Sequence, residues 1–279
     1  MKPFTLNIRG RLIRYDRPAV MGIVNVTPDS FFGGSRTQTA EEIFRRAEKL
    51  LADGADMIDI GAYSSRPGAE DVTPDEELRR LETGINAVRK AAPDTPLSVD
   101  TFRAEVAMKA VRDLGADIIN DISGGDLDEK MYETVAMLKV PYILMHMRGT
   151  PATMQSLTEY EDVTAEVIAD LSRKIRLLRL AGVSDVIADP GFGFSKTAAQ
   201  NFEMLDNLKA FTELLDAPLL VGISRKSMIT RSLGISSDEA LNGTTVLNTI
   251  ALMRGASILR VHDVREAREA VTLCTLTSN

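Results

Sequence analysis

The chain has 279 residues, of which 44% are hydrophobic and 26% charged, and its net charge is −7. This acidic balance argues against non-specific nucleic-acid binding, which needs a basic surface. A single cysteine excludes an internal disulfide and fits a reducing compartment. No segment reads as a secretory signal or a membrane span. We therefore expect a cytoplasmic protein with neither nucleic-acid nor membrane partners.

The first predicted element is a β-hairpin over residues 4–15. Phe4, Leu6 and Ile8 alternate with other residues, and a second strand-like run follows Gly10. Alternation with a period of two is typical of a strand with one buried face, and a glycine between two such runs indicates a turn. We place this turn at Gly10-Arg11.

Beyond the hairpin, apolar strands alternate with amphipathic helices, and the strands start in two interleaved ways. Four apolar runs follow a proline, and four follow a glycine that ends a helix, which is typical of loops from helix to strand. The pattern predicts eight strands, each followed by a helix. The prolines are residues 18, 96, 141 and 218, and the glycines are residues 54, 115, 182 and 255.

Capping-box patterns predict helix starts at residues 39–42, 73–76 and 236–239, and apolar spacing predicts a long helix near 163–181. Eight strand–helix units in about 260 residues match a (β/α)8 TIM barrel. The rival, an open doubly wound sheet, has a glycine-rich phosphate loop after its first strand, whereas here that strand ends in NVTPDS. We predict a single α/β domain, residues 1–279, formed by a TIM barrel with an N-terminal β-hairpin.

All eight predicted strands end on a polar residue. A single Asp or Asn at a strand end is more often a turn former than a catalyst. Eight together are hard to explain structurally, because buried charges cost free energy unless they are paired or bind a ligand. In a barrel these ends form the functional face. The eight residues are Asn25, Asp59, Asp100, Asn120, His146, Asp189, Lys226 and Arg260.

The residue types in this ring favour a flat heterocyclic ligand. A carboxylate pairs with an amino-imino edge, and an arginine can stack on a ring face. Two histidines and one cysteine give no support for a zinc site. Mg²⁺ needs only one or two protein oxygens beside substrate phosphates, and Asn25 could supply one.

Two further segments are candidates for function. Residues 222–227, GISRKS, place two cations and two hydroxyls before a predicted helix, which favours an anion site. Residues 63–70, YSSRPGAE, form either a functional loop or a solvated turn.

Eight long motifs in matching order identify a family resemblance: the chain resembles the dihydropteroate synthases along nearly all of its length after the hairpin. The motifs are MGIVNVTPDSF (21–31), DIGAYSSRPGA (59–69), SVDT (98–101), IINDISG (118–124), LMHM (144–147), DPGFGF (189–194), GISRKS (222–227) and RVHDV (260–264).

The resemblance implies a barrel enzyme of folate biosynthesis, generally a homodimer. Such an enzyme condenses 7,8-dihydropterin-6-methyl diphosphate with p-aminobenzoate and releases diphosphate and 7,8-dihydropteroate. It also implies a dissociative, SN1-like path in which Mg²⁺ assists departure of the diphosphate, and sulfonamides that compete with p-aminobenzoate.

The resemblance also implies a role for each matched residue. Asp100, Asn120, Asp189, Lys226 and Arg260 would bind the pterin. Ser65, Arg66, Pro67, Phe194, Lys226 and Ser227 would form the p-aminobenzoate pocket. Asn25, Arg260 and His262 would hold the diphosphate, with Asn25 also binding the metal. The catalytic residues would be Asp100, Lys226, Arg260 and Arg66.

The chain departs from the family pattern in two loops. Residues 30–35 read SFFGGS where SFSDGG is usual, and Tyr63 and Ser65 stand where Glu and Thr are common. The missing aspartate bears on loop closure, rate and sulfonamide sensitivity. It leaves one alternative open, a pterin-binding paralogue with weak or no synthase activity. A corrinoid-dependent methyltransferase of related barrels fits less well. The segments GISRKS and SSRPG serve p-aminobenzoate and diphosphate in the family, and the methyltransferase reaction uses neither.

Overall fold

The protein, described here by a computed structural model, is a barrel of eight parallel strands preceded by an antiparallel hairpin. Residues 2–26, 39–63 and 72–277 are described. The hairpin consists of β1 (Phe4–Ile8) and β2 (Arg11–Tyr15). The barrel strands are β3 (Ala19–Asn25), β4 (Met57–Gly61), β5 (Leu97–Asp100), β6 (Ile118–Asp121), β7 (Tyr142–Met145), β8 (Val186–Asp189), β9 (Leu220–Val221) and β10 (Ile258–Val261).

The strands are ordered β8-β7-β6-β5-β4-β3-β10-β9, and all neighbours are parallel. The last gap, between β8 and β9, is closed by an isolated bridge from Ala188 to Leu219, where the N–H of Ala188 donates to the carbonyl of Pro218 at 2.9 Å. The predicted (β/α)8 barrel with an N-terminal hairpin is therefore confirmed.

Helices follow every barrel strand, one after most and two after both β8 and β9. None of them, within the described ranges, combines the length and apolar content needed to cross a membrane. They are α1 (Ala40–Ala52), α2 (Pro74–Ala91), α3 (Ala104–Arg112), α4 (Met131–Leu138), α5 (Val163–Leu180), α6 (Ala198–Asp206), α7 (Leu208–Leu214), α8 (Ser227–Leu233), α9 (Leu241–Met253) and α10 (Val264–Thr277).

Two of the predicted helix starts are confirmed. Thr39 accepts the backbone N–H of Glu42, and the Glu42 carboxylate accepts the N–H of Thr39 at 2.8 Å, which is a full capping box. Thr73 caps α2 in the same way, but the carboxylate of Glu76 turns to Arg79 and Arg80 instead of returning to the cap.

Two local predictions are wrong. The hairpin turns at Arg9-Gly10, one residue earlier than predicted, and both residues have positive φ (52° and 77°). Such a turn matches the right-handed twist of the flanking strands. Ser236 does bond to the Glu239 carboxylate at 2.8 Å, but α9 begins only at Leu241, so that pattern makes a turn before the helix.

Apolar side chains fill the lower half of the barrel interior, and the hairpin closes its floor. Leu6 and Ile8 of β1 are buried against this interior cluster. Backbone and side-chain bonds fix the hairpin there: the N–H of Asn7 donates to Asp185 at 2.7 Å and Arg9 to Asp117 at 2.6 Å. The remaining members are Ala19, Met21, Met57, Ile118, Ile143, Ile187, Leu220 and Ile258.

A polar layer lies directly above this apolar layer. Side chains two residues apart on a strand point to the same face. On four strands the interior apolar residue is therefore followed, one step towards the barrel mouth, by a polar one. The pairs are Met57 and Asp59, Ile118 and Asn120, Ile187 and Asp189, and Ile258 and Arg260.

The floor of the barrel yields a stability prediction. Leu6→Ala removes a side chain that is 1% exposed, and we expect the free energy of unfolding to fall by about 2–5 kcal/mol. Leu12→Ala, on the same hairpin but 76% exposed, should change it by less than about 0.5 kcal/mol. Urea denaturation followed by circular dichroism measures both, and equal effects would contradict the docked hairpin.

Candidate active site

Arg260 reaches from β10 to two carboxylates on other strands. Its Nε donates to Asp59 Oδ2 at 2.7 Å, and its terminal nitrogen lies 2.6 Å from the same oxygen and 3.1 Å from Asp100 Oδ2. The side-chain amide of Asn120 donates to Asp59 Oδ2 at 3.2 Å. These four residues, here called the arginine network, bring together three of the five residues predicted to bind a pterin.

Asp59 is the centre of this network, although the family resemblance gave it no role. It is completely buried, and its Oδ1 has no hydrogen-bond partner among the described residues. A buried carboxylate with one unpaired oxygen is costly, so its partners on the other oxygen must hold its charge. The sequence did carry a signal: Asp59 follows Gly54 by five residues, as Asn120 follows Gly115.

The network holds two carboxylates and one guanidinium. Burial raises the pKa of Asp100 to about 7, and the negative charge of Asp59 adds to the rise, although Arg260 acts in the opposite direction. Burial alone would lower the pKa of Arg260, but the two carboxylates outweigh it and raise the pKa. Arg260 is therefore always a cation, and Asp100 is the member of the network that titrates near neutral pH.

A second group, here called the lysine group, consists of Asp189, Phe194 and Lys226. Lys226 caps α8 and donates to the carbonyl of Phe192, with its Nζ 4.7 Å from the centre of the Phe194 ring. Burial lowers the pKa of Lys226 to about 8, against the effect of Asp189. Burial raises the pKa of Asp189, and the charge of Lys226 opposes this. The structure thus joins three further predicted residues.

The GISRKS segment supplies one cation to the mouth, not two. Arg225 forms a two-point ion pair with Asp263, at 2.9 and 2.8 Å, so its charge is neutralised. The predicted two-cation anion site is therefore wrong in this respect. Lys226 and Ser227 remain as candidates, and Ser227 is exposed at the first position of α8.

His262 follows β10 and contacts Ser224, one of the two hydroxyl residues of the GISRKS segment. The Ser224 hydroxyl accepts the backbone N–H of His262 at 3.2 Å and contacts its Nδ1 at 3.0 Å. In the tautomer in which the hydroxyl donates to Nδ1, the imidazole proton lies on Nε2. Burial and then Arg260 lower the pKa of His262 to about 4, so the ring is neutral at pH 7.

Asn25 is the last residue of β3 and is half-buried. Within the described residues, no group of three or more His, Cys, Asp or Glu side chains could hold a metal. Mg²⁺ commonly binds through one or two protein oxygens together with waters and substrate phosphates. An isolated amide oxygen at the barrel mouth fits that kind of site, in which the substrate supplies the other ligands.

His146 belongs to a different environment from the rest of the predicted ring. Ile143 lies in the interior cluster, so Met145 shares its direction and His146 points away. The Nδ1 of His146 lies 3.0 Å from Nζ of Lys196, a buried residue that the sequence analysis did not consider. The ring of eight therefore loses this member.

The second-loop residues Ser65, Arg66 and Pro67 lie outside the described residues. Tyr63, just before them, packs edge-on against Phe102 with ring centres 5.0 Å apart, and the Arg103 guanidinium lies 5.4 Å from the Tyr63 ring. The base of this loop therefore contacts the segment that follows Asp100.

The chain is similar to known pterin-binding enzymes. The family described as "Pterin binding enzyme" matches residues 21–262. The chain is 45% identical to the dihydropteroate synthase of Synechocystis, over 89% of this chain and 86% of that protein. It is 40% identical to the Escherichia coli dihydropteroate synthase, over 96% and 95%. It also matches an Arabidopsis thaliana folate synthesis bifunctional protein at 40%, but spans only 56% of that longer protein.

Solved structures of dihydropteroate synthases are also similar to this chain. A Yersinia pestis dihydropteroate synthase in complex with a sulfonamide drug superposes with a TM-score of 0.92 and 38% identity, over 99% of both chains. A Xanthomonas albilineans dihydropteroate synthase with 4-aminobenzoic acid gives a TM-score of 0.89 and 40% identity, over 98% of both.

The arginine network yields a prediction about charge coupling. Asp59→Asn removes a neighbouring negative charge that raises the pKa of Asp100. We therefore expect the pKa of Asp100 in this variant to fall below about 7. A ¹³C NMR titration of the Asp side-chain carboxyls measures it, with the exposed residue Asp94→Asn as the control that leaves it unchanged. An unchanged or higher pKa in Asp59→Asn would contradict the coupling.

Proposed function

The chain belongs to the dihydropteroate synthase family of pterin-binding enzymes, and we propose that it joins 7,8-dihydropterin-6-methyl diphosphate to p-aminobenzoate, releasing diphosphate and 7,8-dihydropteroate. The observation that carries this proposal is the arginine network beside the lysine group at the barrel mouth. Together they offer carboxylates, an amide and two cations to one flat, polar heterocycle.

The pterin would be recognised by its edges. The Asp189 carboxylate pairs with the amino-imino edge, the Asn120 amide and Asp100 take further ring nitrogens, and Lys226 reaches the carbonyl side. Arg260 lies against the ring face. Its guanidinium plane is held by Asp59 and Asp100, so its orientation is fixed before the substrate arrives.

The diphosphate would be held by Asn25, Arg260 and His262. In the tautomer in which Ser224 donates to Nδ1, the neutral His262 ring carries its proton on Nε2, and this proton can be donated to a phosphate oxygen. Asn25 would offer its amide oxygen to Mg²⁺. When bound, this ion neutralises negative charge on the diphosphate and makes it a better leaving group.

The reaction breaks the bond between the pterin methylene carbon and the diphosphate oxygen, and the electron pair leaves with diphosphate. The pterin ring delocalises the positive charge that remains on the methylene. Ionised Asp100 stabilises that charge, and its ionised fraction rises as pH increases through its pKa of about 7. The amine nitrogen of p-aminobenzoate then bonds to the carbon and loses a proton.

The p-aminobenzoate would bind between the lysine group and the second loop. Phe194 offers a ring face, and the Ser227 hydroxyl and Lys226 offer polar contacts to its carboxylate. Ser65, Arg66 and Pro67 would complete the pocket from the second loop. The catalytic residues in this proposal remain Asp100, Lys226, Arg260 and Arg66.

The homodimer is part of the same proposal. The helices α9 and α10 pack together and expose Val246 and Met253 on one and Leu273 and Leu276 on the other, each about half exposed or more. Several exposed apolar side chains on two packed helices are typical of a protein–protein interface. We propose that a second copy of the chain covers these side chains.

The dimer is tested by light scattering after gel filtration. We expect a dimer for the wild type and a monomer for the double variant Met253→Glu, Leu276→Glu, because two buried charges would oppose association. The control Leu180→Glu changes a leucine that is 85% exposed on α5, and this variant should remain dimeric. A monomeric wild type would exclude the proposal.

The alternative is a paralogue that binds the pterin without turnover, motivated by the SFFGGS segment at residues 30–35. A diphosphate-release assay separates the two. It contains the pterin diphosphate and Mg²⁺, with and without p-aminobenzoate. Dihydropteroate formation supports the synthase, whereas pterin binding without dihydropteroate supports the paralogue.

The same assay tests the lysine group. We expect Lys226→Ala to lose at least tenfold in kcat/KM, because a charged contact to the substrate is removed, and to keep its fold by circular dichroism. The control Lys209→Ala changes an exposed lysine on α7 and should behave as wild type. Near-wild-type kcat/KM in Lys226→Ala would show that its assignment is wrong.

A further inference from the structure

We propose that Lys196 is a positioning residue that holds the loop between β8 and α6 (residues 190–196) as one wall of the p-aminobenzoate pocket. This inference rests on the proposed function, since that function places p-aminobenzoate against Phe194. Lys196 lies two residues after the end of the DPGFGF motif (189–194), and neither the motif roles nor the mechanism above uses it.

The Lys196 ammonium makes three hydrogen bonds, one for each of its protons. Nζ contacts Nδ1 of His146 at 3.0 Å, the carbonyl of Gly191 at 3.2 Å and the carbonyl of Phe194 at 3.0 Å. The residue is 5% exposed and forms no ion pair with any residue in the described ranges. Burial lowers the pKa of Lys196 to about 7, and the negative charge of Asp189 opposes this. The three contacts stabilise the protonated amine against its desolvation.

These contacts bracket the part of the loop that faces the substrate. The two carbonyls held by Lys196 belong to Gly191 and Phe194, and Phe192 lies between them. The carbonyl of Phe192 accepts from Lys226, and the ring of Phe194 lies 4.7 Å from Lys226 Nζ. A shift of this loop would therefore move both the aromatic wall and the acceptor that orients Lys226.

The loop backbone needs such a restraint. Ser195 has a φ of 47°, which is unfavourable for a residue with a side chain, and Gly191 and Gly193 have positive φ as well. A Cβ on Gly191 would lie 2.0 Å from the carbonyl oxygen of His146, so loop and β7 are in close contact. His146 thus supports the loop from behind, both through its backbone and through the bond to Lys196.

The neutral state of His146 suits this role. Burial, and then the charge of Lys196, lower its pKa well below the usual value. An unprotonated Nδ1 can accept from the ammonium, whereas a protonated ring would repel it.

The test measures the KM for p-aminobenzoate and the dissociation constant for the pterin diphosphate in Lys196→Met. We expect about a tenfold rise in this KM, with pterin affinity and kcat within about twofold of wild type. The matched control is Lys174→Met, which removes another buried lysine, 1% exposed, whose Nζ is paired with Asp126 and Asp170 and lacks the contacts of Lys196 to the carbonyls of Gly191 and Phe194. It should lower stability and leave both constants unchanged.

Two variants of His146 keep the proposal falsifiable if Lys196→Met fails to fold. His146→Asn retains an acceptor near the position of Nδ1 and should keep the wild-type KM. His146→Leu removes the acceptor and should raise the KM for p-aminobenzoate. Equal KM values in these two variants, or parallel losses of pterin and p-aminobenzoate affinity in Lys196→Met, would overturn the positioning role. Absence of dihydropteroate formation by the wild type would instead overturn the proposed function.

Discussion

The structure depends on one guanidinium that must compensate two carboxylates inside the barrel. Arg260, Asp59 and Asp100 come from three strands, and each would be costly to bury alone. Their mutual contacts fix the plane of the guanidinium and leave the carboxylate of Asp100 poised between its two protonation states. The contacts that offset the cost of burying these three charged groups therefore also form a surface complementary to a polar aromatic ring.

The apolar layer below fixes the positions of the side chains in this polar layer. Four strands contribute an interior hydrophobic residue and then, two positions later, a residue of the site, so the packing of the core sets the height of these functional groups. The hairpin completes this support, because Leu6 and Ile8 close the floor on which the layers stand. Strands thus carry most of the groups proposed to bind the pterin, whereas loops carry Phe194 and the other groups proposed for the second substrate.

Much of this was predictable from the sequence, because it follows from local rules. The proline and glycine starts gave eight strands, and the five-residue spacing from a glycine placed Asp59, Asn120 and Arg260 on one level. Pairing between distant residues was not predictable. The sequence does not show that Arg225 forms an ion pair with Asp263. It also does not show that Met145 points to the same side as the interior residue Ile143, so that His146 points away from the interior. Those outcomes depend on strand register and on which neighbours the helices bring.

The contact between β8 and β9 is the least regular strand pairing of the barrel. Seven strand pairings are regular ladders, but this one is a single bridge, and β9 has only two residues in ladder geometry. Cooperative units in proteins separate where few hydrogen bonds join them. Asp189 ends the strand on one side of this contact, and Lys226 follows the strand on the other. The two groups that would bind opposite sides of the pterin therefore lie on either side of this pairing, so any local separation of β8 from β9 would change the distance between them.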